Sequence, residues 1–151
     1  MGTISVPVTL INLNDDGFHL LVEIVAFGQK NWAVVDTGAS RSVFDRNFIT
    51  QYTEGVENEE ESSATTLFST ANTVQAIIPV VKIGKLKLKS YHCVALDLET
   101  VNETYMLLGH PRIIAILGSD IFYSYQAKIN YKKLTISFAK KVIKSVFSPS
   151  C

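Results

Sequence analysis

Along most of the chain the apolar residues come in short runs broken by turn-forming residues, and no long stretch repeats at the interval of an amphipathic helix. This pattern predicts a mainly β fold. Thr3 to Leu13 reads as a strand in which Pro7, having no N–H to donate, marks a sheet edge. Asn14-Asp15-Asp16-Gly17 follows as a hairpin turn, because these residue types accept positive φ. Phe18 to Phe27 returns as a second strand, Gly28-Gln29-Lys30-Asn31 turns the chain again, and Trp32-Ala33-Val34-Val35 runs as a buried strand into Asp36. Ser42 to Tyr52 reads as a short helical or irregular passage. Ile77 to Ile83 and Leu86 to Leu98 are strands around Gly84-Lys85, whereas Glu99 to His110 lacks regular alternation and reads as a loop. A further apolar run ends at Gly118 and passes into a short helix, Ser119 to Tyr125, and two short alternating runs flank a polar turn between Ala127 and Phe138.

Two junctions in this pattern carry candidate chemistry. At the first, Asp36-Thr37-Gly38-Ala39-Ser40, an apolar strand stops at a carboxylate followed by a small hydroxyl residue and a glycine that lets the backbone turn tightly beside a ligand. An aspartate where a strand ends near glycine is often no more than a turn residue, so the triplet alone is a weak signal. The second junction, Ile116-Leu117-Gly118-Ser119-Asp120, strengthens it. In order and character the two resemble the retropepsin-like aspartic peptidases, over a span from about Phe18 to Phe138.

The resemblance implies a retropepsin-like acid protease barrel: a single lobe with a flap hairpin and one short helix, active as a dimer. It implies that Asp36, Thr37 and Gly38 form the catalytic loop, with Ala39 leaving room beside the carboxylate. Ser40 then either bonds the substrate backbone or satisfies its own loop. Ile116, Leu117 and Gly118 match the strand that threads beside that loop, and Asp120 caps the helix after it, with Ser119 as the alternative cap. The flap falls at Thr65 to Gln75, with Ser69, Thr70, Ala71 and Asn72 at its tip over the substrate. Retroviral members carry glycines there and this chain has none, so Asn72 is left to turn the hairpin.

One Asp-Thr-Gly per chain supplies one carboxylate, whereas this chemistry needs two sharing a proton. A second copy must supply the other. With 151 residues, nearly half of them apolar, the chain suits a single domain with a core at about 18–138 and a tail at 139–151; a two-lobed monomer would need about twice the length. In that tail Lys140, Lys141 and Lys144 interleave with Val142, Ile143, Val146 and Phe147, as in an amphipathic segment or a loosely ordered terminus.

Composition narrows the partners. Fourteen Lys and Arg balance fourteen Asp and Glu, so no global field favours nucleic acid or an anionic membrane. No run spans a bilayer, and the first residues lack a signal-peptide pattern. Cys93 and Cys151 are too few for a disulfide scaffold and lack metal-ligand spacing, which fits a reducing, cytoplasmic setting and equally an exported enzyme without disulfides. His19, His92 and His110 form no ligand-spaced cluster, His92 and Cys93 point to opposite faces of a strand, and the mechanism needs neither metal nor cofactor. The acidic run from Glu54 to Glu61 reads as a solvated loop or a steering patch for basic substrates, and Asn102-Glu103-Thr104 is a formal glycosylation sequon.

The leading expectation is a homodimeric aspartic endopeptidase that takes extended peptide or protein substrates. The runner-up is a catalytically weak or inactive member of the same fold that binds peptide or pairs larger assemblies.

Overall fold

The computed structural model describes residues 2–53, 56–57 and 73–140. The flap tip Ser69 to Asn72, most of the acidic run and the tail beyond Lys140 lie outside these residues.

Ten strands form one sheet that closes on itself. The chain runs β1 (Thr3–Asn12), β2 (Phe18–Ala26), β3 (Gln29–Val35), β4 (Val43–Asp45), α1 (Arg46–Thr50), β5 (Val56–Glu57), β6 (Val74–Ile83) and β7 (Leu86–Leu96). It ends with α2 (Glu99–Leu107), β8 (Ile113–Leu117), α3 (Ser119–Ser124), β9 (Lys128–Asn130) and β10 (Thr135–Ala139). Six of the strands, in the order β2, β3, β8, β4, β7, β6, make a mixed barrel. Two residue pairs close it, Val25 with Lys82 and Ala26 with Val81. Around the barrel β3 runs parallel to β8 and β4 parallel to β7, and the remaining pairs are antiparallel.

The alternating strands built this as their pattern predicts. In β2, Leu20, Val22, Ile24 and Ala26 face the barrel interior, where they meet Phe44, Ile78, Ile83, Leu117 and Phe138. The Asn14–Gly17 turn forms with Asn14 and Asp15 at φ 56° and 61°, and the Asn12 and Asp15 side chains bond across it. The next turn is tighter than expected. Only Phe27 and Gly28 lie between β2 and β3, both at positive φ (51° and 73°), and Gln29 already belongs to β3. Pro7 does not mark an outer edge either. It sits where β1 changes partner, from β10 (Thr3 to Pro7) to β2 (Val8 to Asn12).

The expectation of one short helix needs correction, since α1 and α2 are helical as well. The passage after Ser42 contains a strand and then α1, and the expected loop at Glu99 to His110 is α2 followed by a helix stop. Gly109, at φ 77°, gives its N–H to the Met106 carbonyl, and the His110 N–H goes to that of Tyr105, the paired bonds of a glycine-ended helix.

The helix escaped detection because part of its inward face is polar. Asn102 is buried and accepts from the Ile113 N–H (2.7 Å) while donating to the Ile113 carbonyl (3.1 Å), so it pairs an edge of β8 as a strand would. At the other end of the helix, the buried carboxylate of Asp45 accepts from the Leu98 N–H. So held, α2 covers the barrel's outer face with a second core of Ile11, Leu21, Val34, Leu98, Tyr105 and Ile113.

Candidate active site

The loop between β3 and β4 takes its form from the strand order. Since β8 lies between β3 and β4 and runs parallel to β3, the chain leaving β3 at Asp36 must cross the end of β8 to reach β4. The crossing is bonded on both sides. The Asp36 N–H donates to the Leu117 carbonyl (2.9 Å), and the Ser119 N–H donates to that of Ala39 (2.8 Å). A side chain at Gly118 would put its Cβ 2.5 Å from the Ala39 carbonyl oxygen, so only glycine fits beneath the loop.

Asp36 is exposed at the rim of the barrel, with Thr37, Gly38 and Ser40 exposed beside it and Ala39 half-buried against Gly118. The Gly38 N–H donates to Asp36 Oδ1 (2.9 Å), and a Cβ at Gly38 would stand 3.2 Å from that oxygen. Gly38 is absent from the residues at positive φ. It serves by letting the carboxylate approach its N–H rather than by a left-handed turn.

The far side of the loop is pinned by a contact that the sequence did not suggest. The buried Ser42 gives both its N–H (2.9 Å) and its Oγ–H (2.7 Å) to Asp120 Oδ1, and its Oγ accepts from the Gly118 N–H (2.8 Å). Asp120 is therefore not the helix cap, and neither is Ser119. The cap position of α3 is Gly118, without a side-chain bond, and Asp120 spends its carboxylate on the loop. Of the other threading-strand residues, Leu117 lies in the barrel interior and Ile116 packs against the second core. Tyr91 of β7 packs on Phe44 beside this contact; burial and then the Asp120 charge raise its phenol well above the ordinary range, although the Ser42 hydroxyl opposes the shift.

A second polar group gathers on the other flank. His19 is one residue beyond the Leu20–Val35 pair, which puts it level with Asp36 where the ladder stops. Its Nδ1 lies 2.6 Å from the Tyr105 hydroxyl of α2, and His110 meets the other side of the same ring edge-on while its Nε2 contacts the Asn12 carbonyl (2.7 Å). Burial first, and then the negative charge of Asp36, push the Tyr105 phenol from 10.0 up to about 12. Two histidines that are far apart in sequence thus flank one tyrosine near the acid. The Gly109 and Pro111 stop signals, which mark α2 as a helix, were the available clue.

His92 is exposed on β7 while its neighbour Cys93 is buried, and burial pushes that thiol up to about 11. At neutral pH it is a protonated core residue, not a nucleophile. Among the described residues no three His, Cys, Asp or Glu side chains are grouped to hold a metal, and no helix is long and apolar enough to cross a membrane.

Residues 22–121 match the protein family described as aspartyl protease. Among solved structures, a retropepsin-like aspartic protease from Rickettsia conorii matches with a TM-score of 0.57 at 18% identity, covering 91% of each chain. The retroviral protease-like domain of Ddi1 from Leishmania major matches with a TM-score of 0.47 at 12% identity, over 76% of this chain and 82% of that one. No curated protein matches the chain by sequence.

Proposed function

The chain belongs to the aspartyl protease family and has the retropepsin-like barrel as its fold, and from that premise we propose that it is an endopeptidase working as a homodimer, with one Asp36 from each copy. The observation that carries this reading is the loop. Asp36 is exposed at the rim, while the backbone on either side of it is fixed by Leu117, Gly118, Ser119 and, through Ser42, Asp120. Fixed backbone beneath an exposed carboxylate is what a reacting group needs, because geometry set beforehand does not have to be reorganised in the transition state.

Two such carboxylates about 3 Å apart cannot both ionise cheaply, so the pair holds one proton across a wide pH interval. The ionised Asp36 takes a proton from a water held between the two as the water oxygen attacks the scissile carbonyl carbon. The protonated partner donates to the oxygen of that carbonyl. Collapse of the tetrahedral diol returns a proton to the amide nitrogen, the C–N bond breaks, and an amine and a carboxylic acid leave.

The Thr37 hydroxyls bond across the dimer axis and keep the two loops level. Gly38 and Ser40 present backbone and hydroxyl groups to an extended peptide held as an added strand. Exposed apolar side chains support association at this rim: Leu10 pairs with Leu20 beside Val35, Phe18 precedes His19, and Met106 and Leu107 follow Tyr105.

The test is cleavage of a diverse peptide mixture between about pH 4 and 7, an interval that brackets a shared carboxylate proton, with the Asp36→Asn form beside it and the mass in solution measured for both. Cuts that depend on Asp36, made by a dimer, are the expected result. A strict monomer at high concentration, or cleavage that survives Asp36→Asn, rejects the mechanism.

A further inference from the structure

On the barrel's outer face α2 and its core extend from the Asp36 end to the level of Trp32 and Ile113. At the other end, side chains of four adjacent strands align in one row: Lys87 on β7, Lys82 on β6, Val25 on β2 and Lys30 on β3. Lys82 and Lys87 are a directly opposed pair, with Cβ atoms about 5 Å apart, and like charges so placed cost stability. In the next row Lys89 faces Val80. Between the rows lies an open cleft of about 340 Å³, walled by Lys82, Lys87 and Lys89 over Val25, Gly28 and Val80.

The only ion pairs among the described residues, Arg46–Asp97 and Arg112–Glu99, involve none of these lysines. One carboxylate stands on the same face of β2: Glu23 is opposite Trp32 and therefore diagonal to Lys30. Because Val25 is opposite Lys82 as well, Glu23 is diagonal to that lysine too, whereas Lys87 and Lys89 have no carboxylate in their rows. In a chain with net charge zero this makes a local positive field that the composition conceals.

We infer that this face is a docking site for an acidic stretch of an extended peptide, placed outside the catalytic cleft so that it selects protein substrates with a run of Asp or Glu away from the cut. Lys87 and Lys89, two apart on one strand, stand about 7 Å apart, which is the spacing of alternate carboxylates on one face of an extended segment. The cleft has no arginine and no aromatic in its lining, the groups that fork onto phosphates or stack on bases, and so favours carboxylates over nucleic acid.

Lys30 and Asp36 are about 20 Å apart along β3. A substrate that occupies both sites therefore carries its acidic stretch at least about six residues from the bond cleaved.

The inference rests on the peptidase reading for its role but not for its test. Binding is measured on the whole Asp36→Asn chain by fluorescence anisotropy with a labelled ten-residue peptide of alternating glutamate and serine. The expected result is binding that weakens steeply with salt, falls at least tenfold in the triple variant Lys82→Glu/Lys87→Glu/Lys89→Glu, falls less in the corresponding triple glutamine variant, and is unchanged when Lys128, Lys132 and Lys133 are reversed. The glutamine variant should melt no lower than the parent, since it removes like-charge repulsion. Equal loss from both sets of reversals, no binding at low salt, or tighter binding of an oligonucleotide or an anionic vesicle overturns the inference. Binding without any hydrolysis by the Asp36 form would reject the peptidase and leave the docking face standing. Hydrolysis that ignores an acidic stretch, with no peptide binding, would do the reverse.

Discussion

The molecule has two cores that differ in what holds them. The barrel interior is filled by apolar side chains, among them Ile24, Phe44, Ile78, Ile83, Leu117 and Phe138, each fully buried. The seam between the barrel's outer face and α2 is smaller, and it is stitched at both ends and along its length by polar groups: Asp45 to the Leu98 N–H, Asn102 to both backbone groups of Ile113, and Tyr105 to His19. Interior packing is non-directional and grows with buried area, so it tolerates a change of shape at constant volume. The seam depends on atoms meeting at fixed distances. Both reach Asp36, the interior through the Leu117 carbonyl that takes its N–H and the seam through the Tyr105 phenol that feels its charge.

The comparison is broken most severely from inside. Phe44→Ala should cost about 3–5 kcal/mol, because the vacated space cannot be refilled by its neighbours, and denaturant midpoints would register it as a loss of the whole fold. Asn102→Ala should cost less, about 2–3 kcal/mol for two buried backbone groups left without a partner. Its signature is local. Hydrogen exchange should quicken across α2 and β8 while the amides of β6 and β7 keep their protection, and a uniform loss would mean that the seam and the interior are one unit.

Ser42→Ala sharpens the comparison at the loop. The variant loses the hydroxyl contact to Asp120 and leaves the Gly118 N–H unpaired, for about 1–2 kcal/mol of stability. Peptide hydrolysis should fall by a larger factor than that loss explains, since the loop is released while the barrel stays folded; activity that merely tracks the melting temperature would contradict this.

The smallest effect is expected from Tyr105→Phe, about 1 kcal/mol at neutral pH for the bond to His19. Its stability against pH is more telling. The phenol titrates near 10 in the unfolded chain and at about 12 in the fold, so the folded state keeps a proton that the unfolded state has lost. That contribution is whole below pH 10 and is lost between about pH 10 and 12. Phenylalanine should flatten the slope there, leaving the parts due to Tyr91, Tyr125 and Cys93, and an unaltered slope would show that Tyr105 ionises as freely folded as unfolded.

What the sequence revealed follows the same division. The strands of the interior were legible because a half-buried strand repeats every second residue, and Leu20, Val22, Ile24 and Ala26 follow that period. The acid loop was legible as two junctions, Asp36-Thr37-Gly38 and Gly118, and the fold brings these segments into contact. The seam was not. Apolar periodicity has no way to register a helix whose inward positions include Asn102, and nothing local in Ser42 points to a carboxylate 78 residues away. Buried polar residues look like surface residues until their partners are known, which is why α2 read as a loop and Asp120 as a cap.

The crossing of the acid loop over β8 also dictates when the loop can exist. Asp36 leaves the ribosome some eighty residues before Leu117, Gly118 and Asp120, so over that interval the acidic triplet has no floor beneath it and no anchor beyond it. The geometry of the loop thus waits on the β8–α3 segment, and whatever depends on that geometry is timed by the order in which the two parts emerge.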